Sequence, residues 1–430
     1  MLLKPIRRVD IELSNHWHFL VLGAFVGIVS RRPDVLFNPQ FWAEDGAVWY
    51  ADAYNLGALH SLVLPHTGYF QTISRIMGVF AQLFPLAIAP LIFNLTAIVI
   101  QILPAIFIIS SRFSALIPNP SNRVFLAFVY LALPNSYEVN ANITNAQWHL
   151  GLLACMVLLA TLSQCPTWRF FDVGVILLAG LSGPLSTLLV PIAAFRWYLG
   201  REKWLFFLLL ELCTCAMVQG VAIFFTAQAT RSQVPSLGAT LELFARILAG
   251  QVFLGSLLGE KGDALINSPH QGPALVPTIQ LLFAILITIF GLAAVLYSLL
   301  KAPLELRLFA IFATFTLSAT LISPVVSSTI PQWQMLPRPG SGGRYWFIPM
   351  LAFITILTWM RGKQCPKKLR MCATLALVLL FFGILSNWHY HSFTDFNFQD
   401  YSNNFTGVPK GAKVIIPINP PGWSMELIKH

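Results

Sequence analysis

Residues 274–300 read ALVPTIQLLFAILITIFGLAAVLYSLL and contain no charged side chain. A helix of this length reaches about 40 Å, more than the ~30 Å hydrocarbon core of a bilayer. Similar apolar runs recur along the 430-residue chain, which is 56% hydrophobic and 10% charged. Its mean hydropathy of +0.70 is far above that of soluble globular domains. Because the alternating ten-residue pattern of a membrane barrel is missing, these features predict an all-α polytopic membrane protein.

The apolar runs divide into about eleven predicted transmembrane helices. We place them near residues 16–30, 86–111, 123–134, 146–163, 170–182, 184–198, 204–228, 274–300, 304–323, 345–360 and 370–387. They form one predicted transmembrane domain, 1–387, whose first outer loop, 31–85, carries interfacial helices. The last residues, 388–430, are too few for a large core and are expected to form a short external lid or buttress.

The distribution of Lys and Arg predicts the orientation, because basic residues collect in short cytoplasmic loops. With eleven spans and a cytoplasmic N-terminus, 16 of the 27 basic residues fall on the inner side. A single helix over 170–198, kinked at Ser182-Gly183-Pro184, would place the basic cluster at 361–370 outside, so two helices are favoured. Arg7 and Arg8 precede an apolar run without a small-residue cleavage site, which predicts a retained first helix.

The expected location is a bacterial inner membrane, with the lipid bilayer as the main partner. The formal net charge of +10 is then mostly a consequence of topology. The basic residues form no single patch beside a nucleic-acid-binding motif, so no nucleic-acid partner is expected.

Three carboxylates lie on one short segment, 37–57, just after the first apolar run. Asn38-Pro39 is typical of a helix start and Gly57 of a helix end. A helix between them would place Asp45, Trp49, Asp52 and Leu56 on one face, with Glu44 about 100° away from Asp45. Such acids suit chemistry in a chain this poor in charge, although a solvated amphipathic loop would also carry them.

The next outer motif is a turn that leads into a helix, 65–75. Its candidate substrate contacts are His66 and Tyr69. Arg75 can bind a phosphate with its planar fork, or it can extend along lipid tails towards the headgroups. A lone histidine in a turn, such as His66, more often has no catalytic or ligand role.

A loop rich in carboxamides occupies residues 134–149. Its candidate sugar-binding residues are Glu138, Asn142, Asn145 and Trp148, because amides both donate and accept and an aromatic face can stack on a sugar ring. The alternative is a capped loop between two helices, in which the amides bind only the backbone.

A glycine-rich segment with two arginines, 338–346, opens a predicted span. Its helix N-terminus would face the outer surface, where free N–H groups, Arg338 and Arg344 could hold a donor phosphate. An aromatic belt with arginines that reach the headgroups is the competing explanation.

These groups together match the needs of group transfer from a lipid phosphate to a hydroxyl. One carboxylate removes the acceptor proton, and amides orient the sugar. Arginines or a divalent cation, Mg²⁺ or Mn²⁺, offset the charge on the departing phosphate.

The layout resembles the C-type (GT-C) integral-membrane glycosyltransferases. The resemblance is sharpest at Trp42-Ala43-Glu44-Asp45-Gly46, joined to Gly68-Tyr69 and Arg75. It implies a polyprenyl-phosphate sugar donor on the outer face, a glycan or lipid acceptor, inversion at the sugar, and Asp45 or Glu44 as the base. The chain lacks the large C-terminal soluble domain of some members, which leaves the acceptor class open.

Between the two acids, the predicted helix face favours Asp45 as the base. Glu44 would instead meet the following helix near Arg75 and hold the loop in place. The main alternative function is a transporter or flippase of lipid-linked glycans, which would bury ionisable groups at mid-membrane depth. Glu211 and Asp172 are acids within predicted spans, both near inner ends. A non-enzymatic assembly subunit is a third possibility and would depend on no single carboxylate.

Overall fold

The computed structural model describes residues 17–231, 235–268 and 275–430. The chain is about 70% helical, and its long apolar helices indicate an α-helical, multi-pass membrane protein. The predicted cytoplasmic start with Arg7 and Arg8 lies outside the described residues, as do parts of the predicted outer segment 229–273.

Each of the eleven predicted spans coincides with a helix. Their bounds are Trp17–Arg31, Ala89–Ile109, Pro120–Ala132, Ala146–Leu159, Pro166–Leu181, Leu185–Gly200, Lys203–Arg231, Leu275–Lys301, Leu304–Ile322, Gly343–Met360 and Lys367–Ser386. Short helices in the loops are Asp34–Phe37, Ala51–Leu56, Ala58–Leu62, Thr72–Ala81, Glu260–Asn267, Gln332–Met335 and Phe398–Phe405.

Within the described residues, six helical stretches are long and apolar enough to cross a bilayer. They are Leu86–Ile109, Lys203–Thr226, Leu241–Leu258, Leu275–Lys301, Leu304–Ile322 and Lys367–Ser386. Several other predicted spans are short: the 13 residues of Pro120–Ala132 reach only about 20 Å. The count of eleven crossings therefore stays a prediction.

Buried or half-buried ion pairs mark one end of the helix bundle. Arg112 pairs with Asp172 (Nη1 to Oδ1, 3.0 Å), and Arg196 pairs with Glu305 (Nη1 to Oε1, 3.2 Å). We call this the basic end. The opposite end, which we call the loop end, is formed by segments 32–88, 133–145, 235–268, 323–342 and 387–430, which hydrogen-bond to one another.

The region predicted as either one kinked helix or two spans contains two helices, Pro166–Leu181 and Leu185–Gly200. Leu181 at the end of the first accepts a hydrogen bond from the Thr72 hydroxyl at the loop end (2.8 Å). Arg196, near the end of the second, lies at the basic end. The two helices are therefore antiparallel, as the two-span prediction requires.

An additional apolar helix lies inside the predicted outer segment 229–273. It begins after Thr240, whose hydroxyl caps its first turn, and continues through a π-helical turn to Leu258. Near its start, the Phe244 ring stacks on Trp333. At its end, Leu258 O accepts a hydrogen bond from Asn387 Nδ2 (3.2 Å). Both partners belong to the loop end. The helix thus begins and ends at the same end of the bundle and lies across it, although its composition would suit a span.

The C-terminal segment is the exception to the all-helical prediction. It contains an antiparallel hairpin of strands Lys413–Ile418 and Trp423–Ile428. Ile416 and Met425 are paired across the strands and fully buried, whereas Ile415 is largely exposed. This alternation is the period of a strand with one covered face, and the covered face packs on the acidic segment.

Candidate active site

The acidic segment does not form the single helix predicted from Asn38. A short helix, Asp34–Phe37, ends there instead, and helical structure resumes only at Asp45. Between them, Asn419 of the C-terminal segment donates its N–H to Phe41 O (3.1 Å). Because this pairing uses a backbone group that a helix would need, the helix predicted to start at Asn38-Pro39 does not form there.

Asp45 opens a π-helical turn and is fully buried. Its carboxylate accepts hydrogen bonds from Ile143 N (3.1 Å), Thr144 N (2.8 Å) and the Thr144 hydroxyl (2.8 Å). Burial raises the pKa of Asp45 to about 7, against the lowering effect of these donors. A buried carboxylate with both oxygens engaged is poorly placed to meet an acceptor hydroxyl. The geometry therefore makes Asp45 an anchor between two loops, contrary to the role expected from the helix face.

That helix face forms only in part. Trp49 joins Asp45 at Thr144, where its indole Nε1 donates to the hydroxyl (3.1 Å). Asp52 instead pairs with Arg75, and Leu56 is about half exposed. The predicted helix end is confirmed, because the next residue is a glycine with φ of 84°.

Arg75, a predicted phosphate ligand, is held by internal contacts. It is 2% exposed and pairs with Asp52 (Nη1 to Oδ2, 2.6 Å). Its Nε donates to Leu64 O (3.2 Å), and its guanidinium lies 4.8 Å from the Trp49 ring centre. Glu44 is not its partner, contrary to expectation. Arg75 thus stabilises the first loop, and its ion pair and backbone hydrogen bond already engage the guanidinium.

The two candidates in the turn before Arg75 have different surroundings. His66 packs edge-on against Trp49 at 5.1 Å, and burial, together with the charge of Arg75, lowers its pKa to about 4. It is therefore neutral near pH 7. Tyr69 is half-buried. Burial raises its pKa, and the charge of Arg344 lowers it in part. Of these two residues, only Tyr69 has a pKa on which the charge of Arg344 acts.

The amide-rich loop is folded on itself. Asn142 and Asn145 are almost fully buried, and both donate to Glu138 O (2.7 and 2.9 Å). The backbone N–H of Asn145 also donates to Asn142 Oδ1 (3.0 Å). These two amides therefore support the loop backbone, as the capped-loop alternative expects, and do not present their donors to a sugar.

Trp148, the aromatic candidate beside this loop, packs edge-on against Tyr345 with ring centres 6.0 Å apart. It is 6% exposed, and its indole Nε1 is buried without a hydrogen-bond partner among the described residues. It therefore lies next to the Arg344 helix start with an unused donor.

Glu138 and Arg344, predicted to bind different parts of a substrate, form an ion pair with each other. The Arg344 guanidinium contacts Glu138 Oε1, and the Arg344 backbone N–H donates to Oε2 (3.0 Å). Arg344 Nη2 also donates to Val325 O (3.0 Å). The Arg344 side chain is 30% exposed, so part of its cationic surface is open. The free helix N-terminus predicted here is capped by Glu138.

Glu44 is the half-buried acid beside this pair. Among the described residues its carboxylate has no hydrogen bond or ion pair with another side chain. Burial raises its pKa; a hydrogen bond from its own backbone N–H and the charge of Arg344 lower it, and the charge of Glu138 raises it, so the charges of both residues act on Glu44. Glu44, Glu138, Arg344 and Tyr69 form the cluster that we call the acid–arginine centre.

Arg338, the last predicted phosphate ligand, is exposed. Its backbone carbonyl accepts a hydrogen bond from Gln251 (3.1 Å), which ties this loop to the helix that crosses the loop end. Its guanidinium has no partner among the described residues, so it stays a candidate for contact with headgroups.

The residues of the centre do not form a ready cation site. Across the described ranges, no three His, Cys, Asp or Glu side chains converge into a group that could hold a metal. Asp45 and Glu138 already use both carboxylate oxygens on N–H and O–H donors. We therefore assign no step to a divalent cation.

A cavity of about 810 Å³ lies away from this centre. Its walls are mainly apolar, and its basic-end residues include Lys301, Glu305 and Gln364. No member of the acid–arginine centre lines it.

The loop end also contains two arginines that the sequence reasoning did not single out, Arg31 and Arg32. Both are almost fully buried beside Tyr390. The available signal was their position, because two adjacent arginines at the predicted outer end of the first helix run against the usual inward bias of basic residues.

No protein family, curated protein or solved structure matches this chain in the comparisons made with each. The function is therefore inferred from the residues and their geometry.

Proposed function

We propose that the protein is a membrane glycosyltransferase with its reaction centre at the loop end. It would transfer a sugar from a polyprenyl-phosphate donor to a hydroxyl of a glycan or lipid acceptor. The observation that carries this proposal is the half-buried Glu44 carboxylate, which has no side-chain partner and lies beside the partly exposed Arg344. A carboxylate and an exposed guanidinium in one place supply a base and a counter-charge for a departing phosphate.

In the proposed reaction, Glu44 accepts the proton of the acceptor hydroxyl as that oxygen bonds to the anomeric carbon. The bond from the anomeric carbon to the phosphate oxygen breaks, and the polyprenyl phosphate leaves with the electron pair. A single displacement of this kind inverts the anomeric carbon. The open surface of Arg344 offsets the developing negative charge, while Glu138 holds the guanidinium in position.

The other residues act by positioning. Asp45 fixes the backbone that carries Glu44 through its bonds to Ile143 and Thr144. Tyr69, which is half-buried, supplies a ring for a sugar, and the buried Trp148 packs on Tyr345 beside Arg344. This assignment moves the base from Asp45 to Glu44 and removes Arg75 from the donor site.

The test compares two matched carboxyl-to-carboxamide variants, Glu44→Gln and Asp45→Asn. Glu44→Gln should lower kcat by about 10²- to 10⁴-fold with little change in melting temperature, because only the base is lost. Asp45→Asn should lower the melting temperature. The variant replaces one carboxylate oxygen by an NH₂ group, which cannot accept the hydrogen bond that this oxygen accepts in the wild type. Turnover is measured with a polyprenyl-phosphate sugar, and melting by intrinsic fluorescence in detergent.

The opposite result would reassign the base. Wild-type turnover in Glu44→Gln, together with an inactive but equally stable Asp45→Asn, would make Asp45 the base. Full activity in both variants would remove the support for a transferase.

One observation favours a transporter or flippase of lipid-linked glycans, namely the cavity of about 810 Å³. Against it, Asp172, an acid within a predicted span, is neutralised by Arg112 at the basic end. Reconstituted vesicles separate the two functions: a flippase moves a lipid-linked sugar between leaflets without acceptor, whereas a transferase consumes it only with acceptor.

A further inference from the structure

Arg31 is the last residue of the first helix, and Arg32 follows it directly. The two guanidinium groups differ in their hydrogen bonds. Arg31 is 1% exposed, and its guanidinium donates to four backbone carbonyls, those of Leu131 (2.8 Å), Leu133 (2.9 Å), Asn387 (3.2 Å) and Trp388 (3.3 Å). It therefore ties the first helix to a second helix and to the C-terminal segment. Its role is structural.

Arg32 is 2% exposed, yet its guanidinium has no hydrogen bond to the described residues and no carboxylate within 4.0 Å. It lies over two aromatic rings instead, 4.3 Å from the centre of Phe393 and 5.4 Å from that of Tyr390. Burying an ionised group without hydrogen bonds is costly, and proteins normally supply a partner.

The charges around Arg32 do not supply that partner. Burial, and to a smaller extent the neighbouring Arg31, lowers the pKa of Arg32 to about 10, so it remains a cation near pH 7. Tyr390 and Asp34 act on this pKa in the opposite direction. Asp34 Oδ2 accepts the Phe393 N–H (2.9 Å), and Asp34 Oδ1 is buried without a hydrogen-bond partner among the described residues, so the carboxylate does not pair with Arg32. The charge of Asp34 thus acts on Arg32 without forming an ion pair with it, while Arg31 adds a second positive charge nearby.

The surroundings of Arg32 also lie between the proposed reaction centre and exposed apolar side chains. Tyr390 meets Tyr137 edge-on at 6.4 Å, and Tyr137 directly precedes Glu138 of the centre. On the other side, Val26 of the first helix and Phe37 of the next turn are 55% and 82% exposed. An amphiphile can therefore place its polar group near Arg32 and its chain against these apolar side chains.

We propose that Arg32 is the principal ligand of a binding site for a phosphate group. The guanidinium fork matches phosphate oxygens in pairs, and the two rings restrict its orientation. The phosphate can belong to a lipid headgroup or be a free ion. This inference does not depend on the proposed transferase activity, because it rests on the unsatisfied guanidinium and concerns binding alone.

The experiment measures binding to purified full-length protein in a neutral detergent. The probes are short-chain phosphatidic acid, short-chain diacylglycerol as the same lipid without phosphate, and inorganic phosphate. The variant is Arg32→Lys, which keeps the charge but loses the fork, and the control is Arg361→Lys, an exposed arginine at the basic end. Affinity is read by titration of intrinsic fluorescence, and the rise in melting temperature on ligand addition is a second readout.

Wild type and Arg361→Lys should bind phosphatidic acid equally, and Arg32→Lys at least about tenfold more weakly. Diacylglycerol should not compete. Tight binding of phosphatidic acid with weak binding of inorganic phosphate identifies a lipid headgroup as the source; equal binding of both identifies a free phosphate. Equal affinity of Arg32→Lys and wild type for both phosphate probes, in a variant that melts like wild type, would overturn the proposal.

A second variant keeps the test decisive if Arg32→Lys fails to fold. Phe393→Leu leaves the guanidinium in place but removes one ring that orients it. Under the proposal it weakens phosphatidic acid binding while diacylglycerol still does not compete. Unchanged phosphatidic acid affinity in a folded Phe393→Leu protein would contradict the site as described.

Discussion

Adjacent carboxyl groups can have different roles when their surroundings differ, and Glu44 and Asp45 illustrate this at the scale of single residues. The oxygens of Asp45 are engaged by donors from residues 143 and 144. The carboxyl of Glu44 stays half-buried without a side-chain partner, near Arg344. The buried acid therefore fixes the backbone that positions its neighbour, and the neighbour is the candidate base.

The raised pKa of Glu44 leads to a pH prediction. Burial is the main cause that raises this pKa above 4.5; the backbone N–H of Glu44 and the charge of Arg344 lower it in part, and the charge of Glu138 adds a smaller increase. Because a base acts only when deprotonated, kcat/KM should rise with pH through this raised pKa and then level off. Glu44→Asp should keep the rise at a lower rate, and Glu44→Gln should lose it. The measurement is a pH–rate profile of each variant; the same rise in Glu44→Gln would assign it to another group.

At the scale of elements, the C-terminal hairpin acts as a buttress for the acidic segment. Asn55 Nδ2 donates to Glu426 O (2.8 Å), and Ile428 N donates to Asn55 Oδ1 (2.9 Å). Asn419, next to the first strand, pairs with Phe41. These bonds hold the segment on both sides of Glu44, so the hairpin should influence the position of the proposed base without contacting a substrate.

Two neighbouring isoleucines test this role, because they lie on opposite faces of one strand. Ile416 is 0% exposed and Ile415 is 58% exposed. Ile416→Ala should destabilise the hairpin by about 2–5 kcal/mol, whereas Ile415→Ala should change stability by less than about 0.5 kcal/mol. Hydrogen exchange of residues 38–57 and turnover are measured for both. Faster exchange and lower turnover in Ile416→Ala alone support the buttress; equal behaviour of the two variants would contradict it.

At the scale of the whole molecule, the polar groups are divided between two ends. The acid–arginine centre and Arg32 lie at the loop end, whereas the Arg112–Asp172 pair lies at the basic end. The distribution of basic residues predicts that the basic end is cytoplasmic. The proposed reaction then takes place at the outer face.

Cysteine labelling tests this orientation. In a variant whose exposed Cys165 and Cys372 are replaced by Ser, Lys410→Cys should react with an impermeant maleimide in intact spheroplasts. Lys367→Cys should react only after permeabilisation. The reversed pattern would place the loop end in the cytoplasm and exclude an outer-face reaction. Labelling of both sites in intact spheroplasts would contradict the division into two ends.

The sequence by itself determined the helices, because a run of apolar side chains acts locally and needs no partner to be recognised. All eleven predicted spans coincide with helices, and Gly57 ends its helix as expected. The sequence Ser182-Gly183-Pro184 also predicted a turn between two helices, which lies between Leu181 and Leu185. The outer loops were recognised as the polar face because their acids, amides and arginines stand out in so apolar a chain.

Only the tertiary structure decided the role of each polar residue. Asp45 meets Thr144, Glu138 meets Arg344, and Phe41 meets Asn419, in each case across roughly 100 residues or more of chain. Local periodicity reports which face of a helix a side chain occupies, but not which distant group satisfies its charge or its hydrogen bonds. That physical limit is why the sequence favoured Asp45 as the base, whereas its tertiary contacts enclose it and leave Glu44 open.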